Sequence, residues 1–170
     1  MLNSQDGTIS AGTSVGTERN NLLSDAGDGR VTFNANIGQT QRLGTFTIDR
    51  AQAGVIFGAA DTATTGSTGF VTAISTDGAI DIGSGTNTDD VIAGVGIVLN
   101  GVTTITIQTS DDDIRFNGAV FMQSDVSIDT DEGAATTPTA GAGNVFFTSA
   151  ATINSQDGTI SAGTSVGTER

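Results

Sequence analysis

Residues 114–117 read Ile-Arg-Phe-Asn, and residues 80–83 read Ile-Asp-Ile-Gly. Each phrase sets two apolar side chains either side of one variable position and closes on a turn-forming residue. Successive side chains of a strand point to opposite faces, so the apolar pair faces one way and the middle residue the other. The phrase returns as Val31-Thr32-Phe33-Asn34, Val55-Ile56-Phe57-Gly58 and Val145-Phe146-Phe147-Thr148. The five motifs begin at 31, 55, 80, 114 and 145, in steps of 24, 25, 34 and 31 residues. A second family of strands lies between them: Phe46-Thr47-Ile48-Asp49, Ile105-Thr106-Ile107-Gln108 and Val126-Ser127-Ile128-Asp129, with Ala73-Ile74 and Thr159-Ile160 fitting less cleanly. The chain therefore reads as strand, turn, strand, loop, five times over. No segment keeps an amphipathic 3.6-residue period for three turns, and Gly interrupts nearly every candidate.

One supersecondary unit recurring every few tens of residues is the mark of a solenoid. The expected fold is all-β: a β-solenoid (parallel β-helix) of about five coils, with Val, Ile and Phe pointing inward and Thr, Asp and Arg outward. Uneven steps do not count against it, since loops absorb length while stacked strands keep register. The competing architecture is a β-sandwich repeat, which regular turn signals also suit. One short motif returning five times favours the solenoid over a set of dissimilar strands.

The segment Asn-Ser-Gln-Asp-Gly-Thr-Ile-Ser-Ala-Gly-Thr-Ser-Val-Gly-Thr-Glu-Arg occupies residues 3–19 and recurs without a mismatch at 154–170, an offset of 151 positions. The simplest reading is a 151-residue unit repeated head to tail, so that residues 1–170 form a single solenoid unit plus an overlap. No amphipathic capping helix is evident. Unpaired strand edges on a solenoid are normally blunted by caps, charges or Pro. The expected partner is therefore the chain itself, in head-to-tail copies forming a filament.

Composition excludes several functions. Sixteen Asp and three Glu stand against six Arg, with no Lys and no His, for a net charge of −13. Phosphate backbones and anionic membrane surfaces select the opposite charge, so neither nucleic acid nor membrane docking is expected. No apolar run is long enough to insert in a bilayer; Val91–Val102 is short and Gly-broken. The opening residues lack the basic and apolar regions of a signal peptide. Cysteine is absent, so no disulfide framework forms, and no Asn-x-Ser/Thr sequon occurs. Hydrophobic residues still make up 36% of the chain, more than acidic disordered segments carry.

The phrases Gly29–Gly38, Asp111–Val120, Ser124–Ala134 and Ala142–Gly163 resemble the degenerate repeats of very large secreted bacterial β-helix proteins. These are the filamentous-haemagglutinin-like and autotransporter-like adhesins. The resemblance is one of rhythm and composition over residues 20–160, and it carries no functional residue across. It implies an extracellular or cell-surface location and a structural or adhesive role.

Candidate chemistry is sparse. Without His, Cys or Lys, only carboxylates could serve as catalytic bases, and the aromatic platforms that grip sugars are missing, so no enzyme is expected. The acidic loops at Asp111, Asp112 and Asp113 and at Asp129, Asp131 and Glu132 offer hard oxygen ligands suited to calcium. Neither has the EF-hand spacing or the glycine-rich nonapeptide pattern, and solvated acidic loops are the competing reading. Asn34 and Asn117 follow equivalent Phe residues, either as rungs of an Asn ladder or as tolerant turn residues. Phe33, Phe57, Phe116 and Phe147 are expected to pack in the core. The Thr45/Thr47 and Thr104/Thr106 pairs recur too irregularly for the flat face of an ice-binding solenoid.

The expected function is a structural subunit or repeat of an extracellular bacterial filament or adhesin stalk, propagating by strand stacking. The alternative is a surface adhesin whose exposed loops bind a ligand. A binding module should concentrate apolar or aromatic side chains on one face, whereas a scaffold should not.

Overall fold

A computed structural model describes residues 19–58, 71–85, 88–101, 103–131, 143–148 and 150–155. The first coil carries β1 (Leu22–Asp25) and β2 (Val31–Phe33). The second carries β3 (Phe46–Arg50), β4 (Val55–Phe57) and β5 (Ala73–Ser75). The third holds β6 (Ile80–Ile82), β7 (Ile92–Leu99) and β8 (Ile105–Gln108), and the fourth β9 (Ile114–Phe116), β10 (Gly118–Met122) and β11 (Val126–Asp129). In the fifth come β12 (Val145–Phe147) and β13 (Ile153–Ser155).

Each strand pairs with its counterpart one coil away, and every such pairing is parallel. The first sheet runs β1-β3-β6-β9-β12, the second β2-β4-β7-β10-β13, and the third β5-β8-β11. Bridges from Ile37 to Ile74 and from Leu43 to Thr76 carry the third sheet into the first coil. The protein is a parallel β-helix of about five coils, as the periodicity requires.

The inward columns explain why the stack holds. In the first sheet Leu22, Phe46, Ile80, Ile114 and Val145 lie in register, as do Ser24, Ile48, Ile82, Phe116 and Phe147. In the second, Val55, Ile97 and Val120 form one inward column, with Val31 and Ile153 at its two ends. Phe46, Ile48, Phe57, Ile74, Ile82, Ile97, Ile107, Ile114 and Phe116 are sealed from solvent. Burying a side chain of this size contributes on the order of 1.5–3 kcal/mol, so each internal coil depends on its neighbours for its core. The middle residues Thr47, Asp81 and Arg115 face outward, as the alternation demands.

The five equivalent motifs do not, however, form one column. Those at Val31 and Val55 pair in the second sheet, whereas those at Ile80, Ile114 and Val145 pair in the first. Phe33 stacks on Phe57 with centroids 5.4 Å apart, and Phe116 on Phe147 at 5.2 Å, as two separate stacks. Strand Phe46–Arg50 likewise sits in the first sheet, while Ala73, Ile105 and Val126 begin strands of the third. A coil therefore has up to three strands rather than two. The alternating phrase is the same on any sheet, because all sheets share one core.

The strand least visible in the sequence is β7. Its ladder with β10 jumps from Gly118↔Ile92 to Val120↔Ile97, a bulge that takes in Gly94 and Gly96. At Gly96, φ is +74°, and a Cβ there would lie 2.5 Å from the Ala119 carbonyl oxygen. Glycine lets the chain kink without leaving the sheet.

Candidate functional site

The acidic loops occupy the corner where the chain turns from the third sheet to the first. Ser75, Gln108 and Asp129 are in register, so Thr76, Thr109 and Thr130 follow at the same point in three successive coils. Thr76 Oγ1 donates to the Gly78 carbonyl, Thr109 Oγ1 to that of Asp112 and Thr130 Oγ1 to that of Gly143. The backbone N–H of Thr76 donates to Gln108 O, and that of Thr109 to Asp129 O, both at 3.0 Å. These threonines brace the turn from inside. Sequence inspection missed them, although Ile-Ser-Thr-Asp, Ile-Gln-Thr-Ser and Ile-Asp-Thr-Asp at 74–77, 107–110 and 128–131 share the pattern.

The predicted calcium ligands are spread around this corner. Asp111 has φ of +67°, and its N–H donates to Thr130 O at 3.0 Å. Asp113 Oδ1 accepts from the backbone N–H of Asn144 at 2.7 Å and from its Nδ2 at 3.0 Å. Those bonds hold the Asp113 carboxyl below the usual carboxylate range. Asp129 Oδ1 accepts from the N–H of Asp131, whose backbone bridges to Ser110. Asp112 contributes its carbonyl to the Thr109 brace. Glu132 lies outside the described residues. Among the described residues, no three acidic groups come close enough to share a metal ion. Asp113 and Asp129 work as turn acceptors.

The outward column of the first sheet runs Leu23, Thr47, Asp81, Arg115, Phe146. Arg115 Nε stands 3.7 Å from Asp81 Oδ1, and the Arg115 guanidinium lies 5.4 Å from the centroid of the Phe146 ring. A cation above an aromatic face is attracted by the ring quadrupole, so Arg115 ties three coils together. Burial pushes the Asp81 carboxyl above its ordinary range; Arg115 pulls it back in part, and Asp49 and Asp90 add to the rise. Asp25 pairs with Arg50, Nε to Oδ1 3.4 Å, and Asp77 pairs with Arg19 and Arg42. Four of the five described arginines thus bind carboxylates across coils, and the fifth, Arg30, donates from Nε to the Ala53 carbonyl.

The two ends of the stack differ from its sides. Among the described residues, β1 and β2 have no strand below them and β12 and β13 none above. The exposed large apolar side chains among the described residues all lie on terminal strands: Leu23 (69% exposed), Val145 (40%), Phe146 (40%), Phe147 (39%) and Ile153 (51%). Phe116, one coil below Phe147 in the same column, is fully buried. Phe147 is exposed because no described strand lies above it, and among the described residues β12 and β13 each have a strand partner on one side alone.

Two smaller expectations resolve differently. Asn34 is exposed beside the second sheet, whereas Asn117 is buried in the first, between Gly83 and Thr148. Asn117 Oδ1 accepts from Thr148 Oγ1 at 2.7 Å, so its partner is Thr and the two Asn share no ladder. Thr47 lies in the first sheet and Thr106 in the third, so the Thr-x-Thr pairs share no face. Of the duplicated segment, only Arg19, Asn154 and Ser155 are among the described residues, and Thr159-Ile160 lies outside them. Compared with family models, curated proteins and solved structures, the chain matches none.

Proposed function

We propose that the chain is a structural unit of an extracellular bacterial filament or adhesin stalk, propagating end to end by strand stacking. One observation carries this reading: the exposed large apolar side chains of the described residues sit on the terminal strands of the stack and not along its sides. Apolar surface beside an open strand edge favours another strand as its cover. The recurrence of residues 3–19 at 154–170, an offset of 151, supports the same reading. So does the resemblance to secreted β-helix adhesins. The net charge of −13 acts sideways, keeping neighbouring fibres apart while leaving the ends free to join.

Coils about 4.8 Å apart would make one five-coil unit advance about 24 Å along the axis. Electron microscopy of the purified chain tests the proposal. Uniform fibres with that axial repeat are the expected result. Dispersed particles at every protein concentration would overturn it.

A further inference from the structure

Resting on the filament reading above, we infer the register of the junction. The occupant of each open end is a second copy of this chain, with β12 of one copy laid parallel on β1 of the next and β13 on β2. The facing pairs are Val145 with Leu22, Phe146 with Leu23, Phe147 with Ser24, Ile153 with Val31 and Ser155 with Phe33.

Three observations lead there. First, the junction continues columns already present. The three columns of the first sheet end at Val145, Phe146 and Phe147 on one side and start at Leu22, Leu23 and Ser24 on the other. Because β9 already fixes the faces of β12, a slip by one residue would lay the outward Leu23 over an inward residue of β12 and turn Leu22 and Ser24 away from the core, so burial selects this register.

Second, the side chains fit. Leu23 and Phe146 are the outward residues of their edge strands, yet both are apolar and exposed, where the internal coils place Thr47, Asp81 and Arg115. Facing each other, they cover each other. Inside, bulky Phe147 meets small Ser24, while small Ser155 meets bulky Phe33. Large opposite small is how facing layers interdigitate without voids or overlap.

Third, both ladders form at once. The corner from Leu22 to Val31 matches that from Val145 to Ile153 to within one residue, so a coil overlays its neighbour on both sheets. The sequence offset agrees independently. Ile153 directly precedes the second copy of the duplicated segment, as Leu2 precedes the first, and Val31 is the next second-sheet strand start after that segment.

The chain has no cysteine, which makes the test direct. Facing residues on adjacent strands lie within the Cα separation a disulfide spans. The full-length double variant Leu23→Cys/Phe146→Cys, oxidised mildly, should give a ladder of covalent oligomers on a non-reducing gel. The pair Leu23→Cys/Val145→Cys, with its thiols on opposite faces, should give roughly tenfold less. Single variants should yield no ladder, and mixing the two singles should yield dimers only. Circular dichroism before oxidation checks that each variant folds. Fibres that cross-link best through the out-of-register pair would overturn this junction while leaving the filament intact. Folded protein with neither fibres nor cross-links would overturn both.

Discussion

Gly58 closes the phrase Val-Ile-Phe-Gly with φ of +80°, and its N–H donates to Phe33 O at 2.8 Å. A Cβ there would lie 1.8 Å from the Asn100 carbonyl oxygen of the next coil. Gly58→Ala should therefore destabilise the protein by at least about 1–3 kcal/mol, seen as a lower urea midpoint. Acidic residues act in opposite senses. The carboxyl of Asp113 titrates below its unfolded value, so its contribution is present above the ordinary carboxylate range and disappears as pH falls through the folded pKa. Asp113→Ala should lower the melting temperature at neutral pH and shrink its further fall on acidification. Asp81 is raised, so its protonated form favours the folded state below the unfolded pKa, and that advantage is lost as pH rises through the folded one. Asp81→Asn should hold or raise the neutral melting temperature and steepen the acid loss. Thermal melts between about pH 3 and pH 7 read both. Of the Phe residues expected in the core, Phe33, Phe57 and Phe116 are buried or packed against it. Phe147 is instead 39% exposed and Phe146 faces outward on the last described strand of the first sheet, because alternation fixes a face but not whether another coil covers it. The Thr braces were not legible, since a hydroxyl inside a turn leaves no apolar period.

At the scale of the element, each strand contributes only a few residues and gains its stability from the coils on either side. Solenoids behave as one-dimensional stacks, in which terminal units have one neighbour and internal units two. Amide hydrogen exchange should therefore be slowest in β3, β6 and β9, which lie between two partners, and faster in β1, β12 and β13. Equal protection throughout would mean that the ends are already covered in solution. Strands with plain alternation, such as Ile80–Ile82 and Ile114–Phe116, were readable from sequence. Ile92–Leu99 was not, because the bulge at Gly94 and Gly96 breaks the two-residue period within a single strand. Assignment of each strand to a sheet was out of reach for a different reason. Identical apolar spacing serves any wall of a shared core.

For the whole molecule, charge and shape divide the work. The chain carries sixteen Asp and three Glu, and its described arginines are engaged across coils, four with carboxylates and Arg30 with the Ala53 carbonyl. In the proposed filament, repulsion acts between fibres and strand pairing acts along them. Raising the salt from about 10 mM to about 1 M shortens the screening length from about 30 to about 3 Å. Fibres should then bundle laterally, visible as increased light scattering, while the axial repeat in micrographs stays fixed. Dissolution of the fibres by salt would count against pairing driven by apolar and backbone contacts. The alternating phrase, its returns and the doubled segment determined the all-β class, the coil count and the idea of a repeating unit, because apolar period and repeat length are properties of the chain itself. Only the tertiary structure decided that three walls share the strands, that the described acidic loops are turn corners, and that the exposed apolar side chains of the described residues gather on the terminal strands. Those outcomes depend on which segments meet in space, and a side chain is buried or bare according to whether another coil lies above it.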